Sequence, residues 1–258
     1  MLRILRLVLI SWWYQLKMRS RSAFDGLLAL MYPLFFATTI FLMYRAGGQS
    51  GPALVSAAVG AAVMGVWSST STTAASSLQQ ERRQGTLELL VAAPTPFPLL
   101  IFPITLSMST IGAYSLITTL LWGRFVFGIH IAIADPVMFV LAVLVTVLAI
   151  GMLGFLIAVS SVRYRSAWAL GNLFEFPVWL IGGFLVPLSL LPGWLHPISW
   201  LLAPTWGMAA VRAATEGRSA FLDLAACVGL AVGYGLIGAL MSRRLVDSAR
   251  RDAKLALI

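Results

Sequence analysis

The segment from Gln79 to Pro94 places charged residues directly before a short apolar helix signal. Thr86 is a residue type that caps helix N-termini, Glu88 would lie in the first turn, and the proline ends the pattern. The helix is too short to cross a membrane, and an apolar helix outside the membrane needs a surface to pack on. The spacing therefore predicts a docking segment. Its leading charged residues are Glu81, Arg82 and Arg83, and its apolar residues are Leu87, Leu90 and Val91.

Outside this segment, the residue types that could act in catalysis do not occur in groups. His130 and His196 lie near predicted external loops without cysteines nearby, so a metal site is disfavoured. Asp223 and Cys227 are one turn apart, but no base accompanies the thiol. The sequence has no Gly-x-x-x-x-Gly-Lys-Ser/Thr loop. We therefore expect no catalytic residues, no metal and no cofactor in this chain.

The composition excludes an ordinary soluble domain. Of the 258 residues, 60% are hydrophobic and 10% are charged, whereas soluble domains average roughly 45–50% and about 25%. A formal net charge of +9 is typical of nucleic-acid binding in a soluble protein, but in so apolar a chain it indicates the cytoplasmic face of a membrane. We expect a polytopic membrane protein with the lipid bilayer as a partner and no nucleic acid.

Six apolar stretches are long enough to cross a bilayer, which takes about 20 residues, and strand-like alternation is absent. The predicted fold is all-α, with a single transmembrane domain over residues 1–258. Lysines and arginines number fourteen on the side of the termini and four on the other, which predicts that both termini are cytoplasmic. The predicted spans are 24–44, 53–78, 99–127, 136–162, 168–188 and 222–241, followed by a cytoplasmic tail at 242–258.

Two apolar segments do not fit the spanning pattern. Residues 1–22 mix basic residues with Trp12, Trp13 and Tyr14, which favours an interfacial helix on the cytoplasmic leaflet; the alternative is a frayed basic leader. Residues 189–215 carry a proline every few positions, which a spanning helix does not sustain. This pattern favours two short helices that enter the outer leaflet and return. The alternative, a broken seventh span, would place the basic tail outside.

A few polar residues inside the predicted spans are candidates for a substrate pathway. Glu175 is the only acidic residue well inside a span, and such residues are usually functional. It could contact a cationic group of a substrate, or gate the cytoplasmic entrance beside Asn172. The alternatives are a structural pair with a neighbouring helix and a position nearer the interface. Ser69 and Thr72 belong to a hydroxyl-rich part of the second span. Hydroxyls line pathways, but they also bring helices together.

The string Glu81-Arg82-Arg83-Gln84-Gly85-Thr86-Leu87-Glu88-Leu89-Leu90 resembles the cytoplasmic-loop signature of type-2 ABC exporter permeases, Glu-Arg-Glu-x-Gly-Thr-x-Glu-x-Leu followed by a proline. Arg83 stands where a second acidic residue is common. The predicted architecture extends the resemblance over the whole chain. It implies that segment 79–94 is a coupling helix that docks on a separate ATPase; the alternative is a charged loop that only sets topology. The residues implied in coupling are Glu81, Arg82, Gly85, Thr86, Glu88 and Leu89.

The resemblance implies a permease subunit of an ATP-driven exporter in the bacterial cytoplasmic membrane. A second copy or a paralogue would complete a dimer, and ATP and Mg would bind to the partner ATPase subunits. An apolar pathway favours an amphiphilic drug-like or lipid-linked substrate. The competing hypothesis is an ATP-independent secondary transporter or channel, which predicts more intramembrane ionisable residues and an inverted repeat. An intramembrane enzyme is disfavoured because both histidines lie outside the predicted spans.

Overall fold

The computed structural model describes residues 2–19, 23–48, 52–93, 95–129, 133–161, 167–185 and 188–252. These ranges contain helices and turns and no strand, so the all-α class is confirmed over the described chain. Two 3-10 turns, Leu188–Leu190 and Gly193–Leu195, precede α8. The helices are α1 Leu2–Arg19, α2 Ala23–Ala46, α3 Pro52–Arg83, α4 Leu87–Ala92, α5 Phe97–Phe125, α6 Pro136–Ser161, α7 Ala167–Ile181, α8 His196–Trp200, α9 Ala203–Glu216 and α10 Phe221–Asp252.

Four helices of the described chain are long and apolar enough to cross a membrane. They correspond to the second, third, fourth and last predicted spans, which supports a multi-pass membrane protein. In α2 the apolar stretch among the residues whose side chains the structure describes is Pro33–Ala46. The four windows are Ala53–Ser71 in α3, Phe97–Phe125 in α5, Pro136–Ser160 in α6 and Phe221–Asp247 in α10.

α7 is shorter than the fifth span predicted at 168–188. It ends at Ile181, because Gly183 adopts a φ of +74°, a left-handed conformation that terminates a helix. Phe184 then turns into the core against Gly60 of α3, where an added Cβ would lie 2.0 Å from the Phe184 carbonyl oxygen. The 15 residues of α7 extend about 22 Å, which is less than the roughly 30 Å of a hydrocarbon core.

The last helix is longer than predicted. α10 continues from Phe221 to Asp252 without a break, so the first part of the tail at 242–258 is helix rather than a separate segment. Its continuation carries Arg243 and Arg244, both exposed. The apolar span and the basic segment therefore form one rigid rod, and residues 253–258 lie outside the described chain.

α3 is the central helix and packs against α2, α5, α6 and α7. Its closest neighbour is α5, because Gly112 of that helix has no side chain to hold the backbones apart. A Cβ on Gly112 would lie 2.3 Å from Ser69 Oγ and 2.8 Å from Val66 Cα. On the α6 side, Gly154 faces Thr70 in the same way. Small residues and hydroxyls thus bring these apolar helices together, as is common in membrane bundles.

The two segments without a span signal both form helices that dock on the bundle. The helix predicted within residues 1–22 is present as α1, which packs on α5, and Trp12 Nε1 donates a hydrogen bond to Thr110 Oγ1 at 3.1 Å. Its position at the leaflet surface stays a prediction. Segment 189–215 contains α8 and most of α9, and Tyr234 of α10 accepts a hydrogen bond from the Ala203 amide at 3.1 Å.

Candidate functional site

The junction between α3 and α4 is a helix-ending motif built from three of the predicted coupling residues. α3 ends at Arg83, and Gly85 follows with a φ of +70°. The Thr86 amide donates to the Glu81 carbonyl oxygen at 3.0 Å, which is the six-residue hydrogen bond of a Schellman cap. A Cβ on Gly85 would meet nothing within 4 Å. The backbone conformation, and not a lack of space, therefore requires glycine here.

Thr86 does not cap α4 as the sequence predicted. It occupies the N-cap position, but its side chain makes no capping hydrogen bond, and its φ and ψ of −86° and −17° are helical; a capping residue is usually extended. The Thr86 hydroxyl instead reaches back to Glu81, with Oγ1 at 2.5 Å from Oε2 and 3.0 Å from the carbonyl oxygen. A carboxylate is the stronger acceptor, so the side-chain contact ties the start of α4 to the end of α3.

α4 presents one leucine to the bundle and one to the outside. The helix is closed by backbone hydrogen bonds from Leu90 to Thr86 and from Ala93 to Leu89, each 3.0 Å long. Leu90 packs against a buried cluster that includes Phe97 of α5, whereas Leu89 is 70% exposed. Of the three residues of the predicted apolar surface, Leu90 therefore packs on the bundle, and the side chains of Leu87 and Val91 lie outside the described part. The side chains of Arg82 and Glu88 lie outside the described part, and their roles stay predictions.

The site lies at the far end of α3. This helix is continuous from Pro52 to Arg83, and Arg83 lies about 8 Å beyond the end of the predicted second span at 78. The junction at Glu81 and the buried part of the bundle therefore belong to one continuous helix.

Glu175 lies in the interface between α7 and α3. It is 3% exposed, and Ser68 of α3 lies close enough to interact with its carboxylate. The contact between Phe184 and Gly60 near the other end of this interface shows that the two helices run antiparallel. Ser68 was missed from the sequence. In the sequence Ser68 is one of a run of hydroxyl residues that places a hydroxyl on every face of the helix. The pattern therefore does not distinguish Ser68 from its neighbours.

The remaining pathway candidates do not gather around Glu175. Asn172 is half-buried about one turn away on α7, but Ser69 faces Gly112 of α5 and donates to the Val66 carbonyl oxygen at 3.0 Å. Thr72 has its side chain outside the described part. The contacts assign Ser69 to helix packing, while a transport role for all four residues stays a prediction.

Comparison with known families agrees with this arrangement. A sequence model of the ABC-2 type transporter matches residues 6–215. The chain belongs to the ABC-2 type transporter family. The match runs from α1 to the end of α9, and so includes the α3–α4 junction. Comparison of the sequence with individually curated proteins finds no match.

Membership of the ABC-2 family identifies the chain as a membrane component of a transporter, a class that associates with ABC ATPases and typically has no ATPase site of its own. The catalytic residue types also have ordinary contacts. Cys227 is buried and donates to the Ala203 carbonyl oxygen at 3.5 Å, and His196 Nε2 lies 3.0 Å from the Leu188 carbonyl oxygen. No group of three metal-ligand side chains occurs among the residues that the structure describes, and His130 lies outside them.

At the end of the bundle opposite α4, two arginines and a tyrosine donate hydrogen bonds to backbone carbonyl oxygens. Arg212 of α9 donates to the Gly183 carbonyl oxygen at 2.9 Å, and Tyr44 of α2 donates to that of Leu185 at 3.1 Å. Arg45 donates to the Phe127 carbonyl oxygen at 2.6 Å. The turn that follows α7 is thereby attached to α2 and α9.

Proposed function

We propose that this ABC-2 family chain is the permease subunit of an ATP-driven exporter and forms the translocation pathway as a dimer. The α3–α4 junction and α4 are the parts that couple it to separate ATPase subunits. One observation carries the proposal: an exposed Leu89 stands on a helix of six residues that the α3–α4 junction holds beyond the end of the predicted second span. A leucine held outside a membrane on a fixed helix is suited to a pocket on a partner protein.

The proposed topology has six spans and cytoplasmic termini. α2 and α7 complete the set with the four long apolar helices, and α8 with α9 form the re-entrant segment of the outer leaflet. The basic end of α10 and the projecting end of α3 lie on the same side in this arrangement, which agrees with the excess of positive charge expected there. The membrane would be the bacterial cytoplasmic membrane, with a second copy or paralogue as the dimer partner.

Coupling proceeds through rigid contacts. ATPase closure moves α4, and the Glu81–Thr86 contact passes that movement to α3. α3 in turn holds Glu175 of α7 through Ser68. Packed helices shift between discrete arrangements rather than deforming continuously, so the dimer would alternate between inward-open and outward-releasing states. ATP and Mg act on the partner subunits, which supply the energy.

The face of α7 opposite Glu175 supports the proposed substrate class. Leu173, Phe176 and Leu180 are exposed on that face, so that an apolar surface and a buried carboxylate lie on one helix. An exposed apolar face suits an amphiphilic drug-like or lipid-linked molecule better than a hydrated polymer, which would need a polar lining. Asn172 and Glu175 are the residues we propose to contact its polar part.

Co-purification tests the proposal directly. The tagged chain is isolated from its native membranes in a mild detergent, beside the variants Leu89→Asp and Val126→Asp. Both residues are exposed and apolar, but Val126 follows α5 at the opposite end of the bundle. Burial of an interface leucine is worth about 2 kcal/mol, or roughly thirtyfold in affinity. We expect an ABC ATPase with the wild type and with Val126→Asp, and its loss with Leu89→Asp.

The other outcomes separate the alternatives. An ATPase retained by Leu89→Asp would keep the exporter but move the main contact away from α4. A folded wild-type chain without any ATPase, under conditions that preserve another ABC exporter complex, would favour the ATP-independent transporter or channel.

A further inference from the structure

Of the four long apolar helices, α10 is the least covered by the rest of the bundle. Only 22% of its apolar window is buried, against 56% to 72% in the other three. We propose that the side of α10 that faces away from the bundle binds an anionic phospholipid, whose phosphate lies at Arg243 and Arg244. The inference goes beyond the proposed exporter function and needs no ATPase, so that either can fail while the other holds.

The outward face of α10 changes from apolar to cationic within one helical turn. Its exposed apolar side chains are those of Val232, Leu236, Ile237, Leu240 and Met241. Residues three and four apart share a helix face, so Arg243 and Arg244 continue this surface beyond Leu240, and both arginines are exposed. A phospholipid changes from acyl chain to phosphate over a similar distance, so its parts match the two parts of this face.

The length of α10 places the arginines at the depth of lipid headgroups. α10 starts at Phe221, and Arg243 follows twenty-two residues later, which is about 33 Å along the helix. A hydrocarbon layer of roughly 30 Å that begins at Phe221 therefore ends about 3 Å before Arg243. The predicted last span, 222–241, ends at the same level.

The packing of α10 on α6 gives a second measure of this depth. The two helices run parallel, because Gly235 meets Met152 as Gly238 meets Phe155. Phe155 lies nineteen residues after the start of α6 at Pro136, or about 28 Å. Arg243 lies about 8 Å farther along α10 than Gly238. A layer of roughly 30 Å that begins at Pro136 therefore ends about 6 Å before Arg243, which again leaves the arginines among the headgroups.

Both arginines are accessible to an anion. Neither forms an ion pair among the residues that the structure describes. Exposed Asp247 lies one turn after Arg243, on the side away from the hydrocarbon layer. Helix side chains tilt toward the helix N-terminus, which for these arginines is the direction of the hydrocarbon layer and its lipid phosphates. A guanidinium group donates two parallel hydrogen bonds to phosphate oxygens, so a phosphodiester is the anion that fits here.

The charge on the outward face of α10 favours a lipid over a second copy of the chain. A symmetric dimer that used this face would bring the same residues of both copies together. Because both copies cross the membrane in the same direction, Arg243 and Arg244 of one copy would approach those of the other, and like charges repel. A lipid phosphate neutralises the arginines instead, while its acyl chains cover the exposed leucines.

Lipid titration with matched variants tests the site. The purified full-length chain is titrated with phosphatidylglycerol or phosphatidylcholine in neutral detergent, and bound lipid is counted by native mass spectrometry. We expect the wild type to prefer phosphatidylglycerol, and Arg243→Gln and Arg244→Gln each to bind it about fivefold more weakly. Arg124→Gln removes an exposed charge at the opposite end of the bundle and should bind as the wild type does. Equal losses in all three variants, or no preference in the wild type, would overturn the site.

Two further measurements distinguish a lipid from other occupants. Excess glycerol phosphate supplies the anion without acyl chains and should leave the lipid bound; displacement would overturn the lipid as occupant. Val232→Cys adds a thiol to the outward face of α10, whereas the native Cys227 is buried. Copper-catalysed oxidation in native membranes should crosslink neither the variant nor the wild type. A crosslinked dimer of the variant alone would overturn the lipid in favour of a second copy.

Discussion

Replacement of Gly85 by alanine tests whether the α3–α4 junction requires a residue that adopts a positive φ at little cost. Gly85 has a φ of +70°, and a Cβ there would meet no atom within 4 Å, so that the substitution introduces strain without a clash. A left-handed conformation costs a residue with a Cβ about 1–2 kcal/mol. This is roughly a 5- to 30-fold shift toward the open junction. Gly85→Asn should lose less, because asparagine tolerates the left-handed region better than alanine.

Hydrogen exchange at the Thr86 amide measures this shift. That amide donates to the Glu81 carbonyl oxygen in the closed junction, and it exchanges when the motif opens. We expect protection to fall in the order wild type, Gly85→Asn, Gly85→Ala, while amides in the centre of α5 stay unchanged. Undiminished protection in Gly85→Ala would refute the positive φ as the element that holds the junction.

Three further substitutions test other contacts. Thr86→Val removes the hydroxyl that binds the end of α3 and should lower amide protection about fivefold, whereas Thr86→Ser should restore it; equal effects would contradict the hydrogen bond. Gly60→Ala places a Cβ 2.0 Å from a backbone oxygen and should abolish monodisperse folding in size-exclusion chromatography. Gly229→Ala, with open space around its Cβ, should fold normally. Glu175→Gln keeps the size and a polar oxygen of this buried side chain and should preserve the thermal midpoint, so any loss of transport would report the need for charge.

Sequence patterns were sufficient to predict the role of a residue when that role depends on the residue's own backbone conformation or on its own helix. Gly85 was identified from a motif, and the structure shows the physical requirement behind it, since glycine adopts the left-handed conformation at little cost. The capping role predicted for Thr86 was wrong because a competing acceptor, the Glu81 carboxylate, comes from the preceding helix. Sequence spacing does not show how a turn brings those two side chains together.

Composition and length were enough to predict a membrane environment and helical elements. Long apolar stretches with few charges can satisfy their backbone groups in lipid only as helices, so the all-α membrane fold and most spans follow from composition and length. The neighbour that each helix face contacts follows from the packing of the bundle, which the sequence does not show. In α3, hydroxyls occur around the whole helix, and packing alone directs Ser68 to Glu175 and Ser69 to Gly112. The same holds for α7, whose end at Ile181 depends on the turn that seats Phe184 against Gly60. Burial of apolar residues is favourable but does not select a particular neighbour. The close contacts between particular glycines and hydroxyls determine which helix faces pack together.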